Sequence, residues 1–368
     1  MSEIIRAAVL NAAPGTLDIE KLTLADPGPE EVLIRIRYAG LCHSDLHEID
    51  GTFPTTLPIL LGHEASGVVE KVGTRVSGIV PGDHVVTCLS VFCGHCRYCT
   101  DGRLTLCVHR QELATAGVSG RLTNAAGESV RPTAGIGAFA QKAVVHHSAL
   151  AVIAEDMPLA QASILGCAVT TGIGAVTRRA RVRPGSSVVV IGTGGIGMSA
   201  IQGARIAGAA TIIAVDVVPE KLSAAEEFGA THVVHAGQTD PVEQVLSLTG
   251  GGADYAFEAV GKARTVEQSV AMLAPGGVAT VVGMVPADPP IRIDGTDLFY
   301  AEKTLQGSFM GSNQFKTDIG RFVELYRRGR LELDRMISHT VTLDEINSGF
   351  DALASGRSMR VIVDMEHT

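Results

Sequence analysis

Four cysteines, Cys93, Cys96, Cys99 and Cys107, fall in a C-x2-C-x2-C-x7-C run within FCGHCRYCTDGRLTLC. Thiolates crowded in this way suit a closed tetrahedral zinc site with four sulfur ligands, no open position and a structural role. A disulfide pair or four unrelated thiols are the competing readings. The N-terminal residues do not read as a secretory segment, and gaps of two residues are poor for local disulfides, so the metal is favoured. A second set is dispersed: Cys42 opens C-H-S-D, His63 and Glu64 lie in G-H-E-A-S-G, and Cys167 stands in G-C-A-V-T-T. Alone, each cysteine reads as a small buried residue and His63 as a hydrogen-bonded histidine. Together, two sulfurs and one imidazole make the ligand set of a catalytic zinc that keeps a fourth position for water or substrate. Cys88 is left without a role.

A third constellation follows the apolar run SVVVI, where Gly192, Gly194, Gly195, Ile196 and Gly197 belong to G-T-G-G-I-G. In the G-x-G-x-x-G pattern the first glycine permits a tight turn, the second lets backbone approach a pyrophosphate, and the third lets helix and strand pack closely. The N-terminus of the helix that follows favours the phosphate charge. Asp216 ends the next apolar run, TIIAVD, where a carboxylate takes the ribose hydroxyls and repels a 2′-phosphate. NAD is therefore expected over NADP. A plain glycine-rich turn followed by a helix-capping aspartate is the alternative.

Two textures must position these groups. From Ala7 to about Val145, short β-rich runs such as EVLIRIRYAG, ASGVVEKVG and DHVVTCL alternate with Gly and Pro, which predicts an antiparallel, barrel-like domain. From about Thr171, strand and helix alternate through SVVVI, TIIAV, PEKLSAAEEFG, THVVHA, DYAFEAV and VATVVG, which predicts a parallel sheet wrapped by helices. TLQGSFM is a candidate sixth strand, and the tail carries a helix near FVELYRRG and a strand at MRVIVDM, expected to rejoin the first domain. The fold class is α/β, divided at 1–168, 169–309 and 310–368. A chain of 368 residues with 46% hydrophobic composition can fill two cores. Its net charge of −9 argues against nucleic acid, and no stretch reaches the roughly 18 apolar residues of a membrane span. A soluble, cytoplasmic protein is expected.

GLCHSDLH, GHEASGVV, the four-cysteine lobe, GCAVTTG, the glycine-rich turn and SMRVIV occur in the order seen in zinc-dependent medium-chain alcohol dehydrogenases, and the resemblance runs from about Ala7 to Met365. It implies a GroES-like catalytic domain built from both chain ends around a Rossmann coenzyme domain, two zinc ions per subunit, NAD, and a homodimer or homotetramer. Carried over residue by residue, it implies Cys42, His63 and Cys167 on the catalytic zinc, Glu64 beside it, and Asp45 holding His63 through its far ring nitrogen. Ser44 and His47 match a proton relay. His43 and Arg360 match phosphate-facing cations, and Lys221 a cation near the adenosine ribose. Thr171, Val260, Val282, Met284 and Ser308 map to segments lining the nicotinamide, and Phe53, Leu89 and Met284 to an apolar substrate pocket.

The activity so implied is reversible oxidation of an alcohol to an aldehyde or ketone, on primary aliphatic, allylic or aromatic alcohols rather than polyols. A thiol-adduct (S-hydroxymethyl) formaldehyde dehydrogenase is the enzymatic alternative. That group carries an acidic segment before its GHE motif and an arginine shortly after the lobe's last cysteine, where this chain has GTFPTTLP and, one place early, Arg110. A non-catalytic dinucleotide-binding zinc protein is the alternative of another class; it has no need of the open Cys42, His63, Cys167 set. The long segment from Ala114 to Gly137 is read as a cover for the substrate entrance.

Overall fold

The computed structural model describes residues 2–115 and 120–367. Two compact units form, one from Met1–Cys167 with Gln314–Thr368 and one from Ala168–Asn313. The sequence divisions fall one residue and four residues away from these boundaries.

In the first unit, a seven-stranded sheet is centred on Glu31–Gly40, which pairs antiparallel with Glu64–Val72, Lys142–His146 and Arg360–Asp364. EVLIRIRYAG forms this strand because Val32, Ile34 and Ile36 recur every second residue and are buried, while Arg35 is exposed. The C-terminal strand enters the sheet with Ile362 opposite Gly40, so the tail joins this unit. A second, five-stranded sheet runs in the order Leu122–Thr123, Leu17–Leu24, Glu3–Leu10, Ile59–Leu60, Arg131–Pro132. Its two edge strands come from the segment read as a cover, so Leu122–Thr123 and Arg131–Pro132 of that segment are paired into a sheet; residues 116–119 lie outside the described residues. The tail helix, Phe315–Arg327, begins well before FVELYRRG because Phe315, Ile319, Phe322 and Val323 continue one apolar face.

The second unit is a six-stranded parallel sheet ordered His232–His235, Thr211–Asp216, Ser187–Ile191, Ala253–Glu258, Leu273–Val281, Thr304–Gly307. Val188, Val189 and Val190 are fully buried, as a strand covered by helices on both faces requires. Chain order reverses beside Ser187–Ile191, the position at which such sheets open a crevice for a dinucleotide. The sixth strand falls within TLQGSFM as read. No helix among the described residues is long and apolar enough to cross a membrane.

Candidate active site and metal centres

Cys42 ends the run from the central strand and caps the helix His43–Ile49; His63 precedes the strand Glu64–Val72; Cys167 follows the helix Leu159–Ser163. All three are buried, and each offers one ligand atom within 4.8 Å of the others. Asp45, fully buried, aligns two of them, Cys42 and His63. One carboxylate oxygen accepts from Cys42 N at 3.3 Å, while the other accepts from Gly62 N at 3.1 Å and lies 3.3 Å from His63 Nδ1. Gly62 has φ +91°, and a Cβ there would lie 2.7 Å from the Phe139 ring, so only glycine permits this turn. With Nδ1 held by Asp45, His63 Nε2 is buried without a hydrogen-bond partner. An orphaned nitrogen of this kind ordinarily costs about 1–3 kcal/mol, and a metal ligand bond is what the arrangement lacks.

The ionisation pattern agrees. The hydrogen bond from Cys167, with help from His63, holds the Cys42 thiol well below its ordinary value. The same bond, together with burial, pushes Cys167 well above. Burial opposes charge on His63, yet Asp45 and Cys42 raise it overall. One thiolate forms readily here and the second is resisted by the first. A divalent cation removes that conflict, because two thiolates and a neutral imidazole balance its charge. Cys88 is fully buried, and burial pushes its thiol up to about 11, so it stays protonated.

Ser44 donates from Oγ to Cys42 Sγ at 3.2 Å. His47, one helical turn on, is half-buried with its ring edge-on to Phe53 at 5.1 Å and Nδ1 3.7 Å from Asp50. His43, on the first turn of the same helix, is exposed. Glu64 and Arg360 meet each other: the Arg360 guanidinium is ion-paired with Glu64 and faces the Cys42 sulfur, and both side chains are almost wholly buried. Glu64 also accepts from Cys167 N at 3.1 Å. The pair thus braces two of the three metal-site residues from behind. The sequence reading missed this bracing, and it missed Thr87, whose hydroxyl donates to the His63 carbonyl at 3.1 Å and accepts from Ala65 N at 2.9 Å. Leu89 packs on the apolar core of the first unit.

Cys93, Cys96, Cys99 and Cys107 form a second cluster, each with its sulfur within 4.8 Å of the others. All are free thiols; Cys96 and Cys99 sulfurs are 3.5 Å apart and Cys93 and Cys99 sulfurs 3.9 Å, well beyond a disulfide bond. Backbone amides point into the cluster, Cys93 N to Cys107 Sγ and Cys96 N to Cys93 Sγ, both at 3.3 Å. Backbone amides pull Cys96 down to about 6, whereas burial pushes Cys99 up to about 12 and raises Cys107. Four sulfurs this close cannot all ionise alone, and a zinc ion fits them.

In the second unit, Gly192 has φ +88° and Gly197 packs so closely that a Cβ would meet the Gly192 carbonyl at 1.8 Å. A Cβ on Gly194, by contrast, would meet nothing within 4 Å: the middle of the turn is open where a pyrophosphate would approach. Gly194 caps the helix Gly195–Ala207, which carries Ile196. Asp216 Oδ2 accepts from Thr193 N and Thr193 Oγ, both at 2.7 Å, and Oδ1 accepts from the amides of Val217 and Val218. Lys221 lies on the next helix, Pro219–Phe228. Thr171 and Ser308 are buried and Val282 partly so, whereas Val260 and Met284 are exposed.

Residues 28–156 match the alcohol dehydrogenase GroES-like domain, and residues 195–324 match the zinc-binding dehydrogenase family. Alcohol dehydrogenase 2 of Zea mays is 38% identical over 372 residues, covering 98% of this chain and 97% of its own. The crystal structure of an alcohol dehydrogenase zinc-binding domain protein from Burkholderia ambifaria superposes with a TM-score of 0.96 at 36% identity, covering 100% of both chains. Benzyl alcohol dehydrogenase from Acinetobacter calcoaceticus gives 0.91 at 32% identity over 99% of each. The chain belongs to the zinc-dependent medium-chain alcohol dehydrogenase family, and with it is an oxidoreductase that uses zinc and a nicotinamide dinucleotide on alcohols.

Proposed function

We propose that the enzyme oxidises primary aliphatic, allylic and aromatic alcohols to aldehydes with NAD, and reduces the aldehydes in reverse, as a homodimer or homotetramer. The observation that carries this reading is the buried Cys42, His63, Cys167 set with His63 Nε2 unpartnered. A zinc ion bound there supplies Lewis acidity toward a substrate hydroxyl and a fixed orientation for it, and the dinucleotide supplies a hydride acceptor.

The protein's own residues do the rest. Asp45 fixes the tautomer and orientation of His63, and Glu64 with Arg360 steadies the Cys167 amide and the Cys42 sulfur. Ser44 exchanges its present bond to Cys42 for one to the substrate, and its oxygen accepts the substrate hydroxyl's proton as it gives its own on toward His47. His47, half-exposed, passes the proton outward toward solvent, a task suited to an imidazole near neutral pH. Glu64 is a positioning residue in this scheme rather than a proton carrier, because it is already engaged by Arg360 and the Cys167 amide. Asp216 selects NAD by occupying the ribose position with a carboxylate held in place by Thr193. His43 and Lys221 supply cations for phosphate and ribose. Phe53 and Leu89 give the substrate an apolar wall, and similarity to a benzyl alcohol dehydrogenase supports an aromatic or allylic class.

A panel of alcohols and aldehydes with NAD(H) tests the substrate class through kcat/KM. Benzylic, allylic and longer primary alcohols should exceed glycerol and sorbitol by at least about tenfold, the discrimination a few apolar contacts provide. Preference for a polyol, or for the glutathione adduct of formaldehyde, would overturn it.

A further inference from the structure

On the outer side of the four-cysteine lobe, His95 and His109 stand with their ring centroids 5.6 Å apart, and with Cys93 each offers a ligand atom within 4.8 Å of the others. His95 is exposed and the His109 side chain is 43% exposed, so no packing demand explains the pairing. Each ring is held through its Nδ1. His95 Nδ1 is 2.9 Å from the Cys93 carbonyl oxygen, and His109 Nδ1 is 3.2 Å from Glu112 Oε2. A carbonyl or carboxylate on one ring nitrogen fixes the tautomer in which the other nitrogen is a free electron-pair donor, the usual second contact of a metal-binding histidine. The surroundings also favour a cation. Four thiolates around one divalent ion leave a net negative charge of about two, and Glu112 adds another. Arg97 and Arg103 lie near, but over the Tyr98 ring, at 4.5 and 5.0 Å from its centroid.

We propose that His95 and His109, with Cys93 shared between the two sets, form a surface zinc site through which zinc exchanges with the four-sulfur centre. The proposal rests on the reading of that centre as a zinc site. An incoming ion held by the two imidazoles is already within reach of one thiolate of the inner set, so ligands transfer one at a time: a Cys93 bond to the incoming ion forms before its bond to the outgoing one breaks. No oxidation is involved, and charge balances because one divalent ion enters as the other leaves its last thiolate for solvent.

The test uses the purified holoenzyme and zinc chloride enriched in a stable isotope. Equilibrium dialysis should find a further, weaker zinc per chain, lost in His95→Gln, His109→Gln and the double variant. After incubation, labile metal is stripped with a mild chelator and the retained label is counted by native mass spectrometry. Label entry into the four-sulfur centre should slow by about tenfold in the double variant, and by less in Glu112→Gln, which only orients His109. Absence of the extra zinc from the unmodified enzyme, its persistence in the double variant, or unchanged label entry would each overturn the proposal. Failure of the underlying reading looks different: all four lobe cysteines of the native holoenzyme would then be alkylated rapidly and no chelator-resistant zinc would be found.

Discussion

Ser44 lies two residues beyond Cys42 on the first turn of a helix whose cap is itself a metal-site residue, and its hydroxyl already touches that residue's sulfur. Ser44→Ala removes a proton acceptor without touching a ligand, so zinc and coenzyme should remain bound while kcat for alcohol oxidation falls by about 10² to 10⁴. His47→Gln should cost less, since water replaces an outer relay member, and its defect should ease with added buffer base. Near-normal single-turnover hydride transfer by Ser44→Ala would reduce the serine to a packing role. At this scale the sequence was legible where ligand types and local spacing carry the information: the structure brings Cys42, His63 and Cys167 together, and likewise the four lobe cysteines. It was opaque where a side chain's task depends on a distant partner. Arg360 reads as a phosphate contact in SMR, yet its nearest charge is Glu64, and only pairing of the last strand with Glu31–Gly40 brings the two together.

Elements hold these side chains through a few cross-links, two of which have measurable consequences. The glycine-rich turn and the second strand of the parallel sheet are joined by Thr193 and Asp216. Asp216→Ser should weaken NAD and raise the NADP to NAD ratio of kcat/KM, and Thr193→Val should do so less, because it loosens the carboxylate without removing it. Equal use of both coenzymes by the unmodified enzyme would contradict the assignment. The four-cysteine lobe is tied to the strand Lys142–His146 through Ser148, whose Oγ accepts from Phe92 N at 3.1 Å and lies 2.8 Å from His146 Nδ1. Burial, with the charge of His147 whose ring lies tilted 4.6 Å away, pulls His146 down to about 4, against nearby Glu30. The unfolded chain takes up this proton near 6.5 and the folded one only near 4, so stability falls as pH drops through that window, by on the order of 1–3 kcal/mol. His146→Gln should flatten the dependence of Tm on pH between 4 and 6.5; an unchanged slope would place the effect elsewhere. Neither cross-link shows in the sequence, because a hydroxyl in a glycine-rich turn and a histidine at a strand end have many uses.

Across the whole molecule, alternation of period two in the first part and strand–helix alternation in the second were enough to read two kinds of architecture, since each follows from which faces must be buried. The boundaries were less legible: Cys167 belongs to one compact unit and Ala168 to the next, within a continuous run of buried residues that no change of composition marks. Two zinc ions of different function are expected in each chain, a catalytic one on Cys42, His63 and Cys167 and a structural one on the four lobe cysteines. Zinc content of Cys42→Ser beside the unmodified enzyme, measured with activity and Tm on the same samples, tests this assignment most directly. The unmodified enzyme should hold two zinc ions per chain and the variant one, the variant staying folded with no turnover. A Cys42→Ser enzyme that keeps both ions, or that keeps turning over alcohol with one, would contradict it.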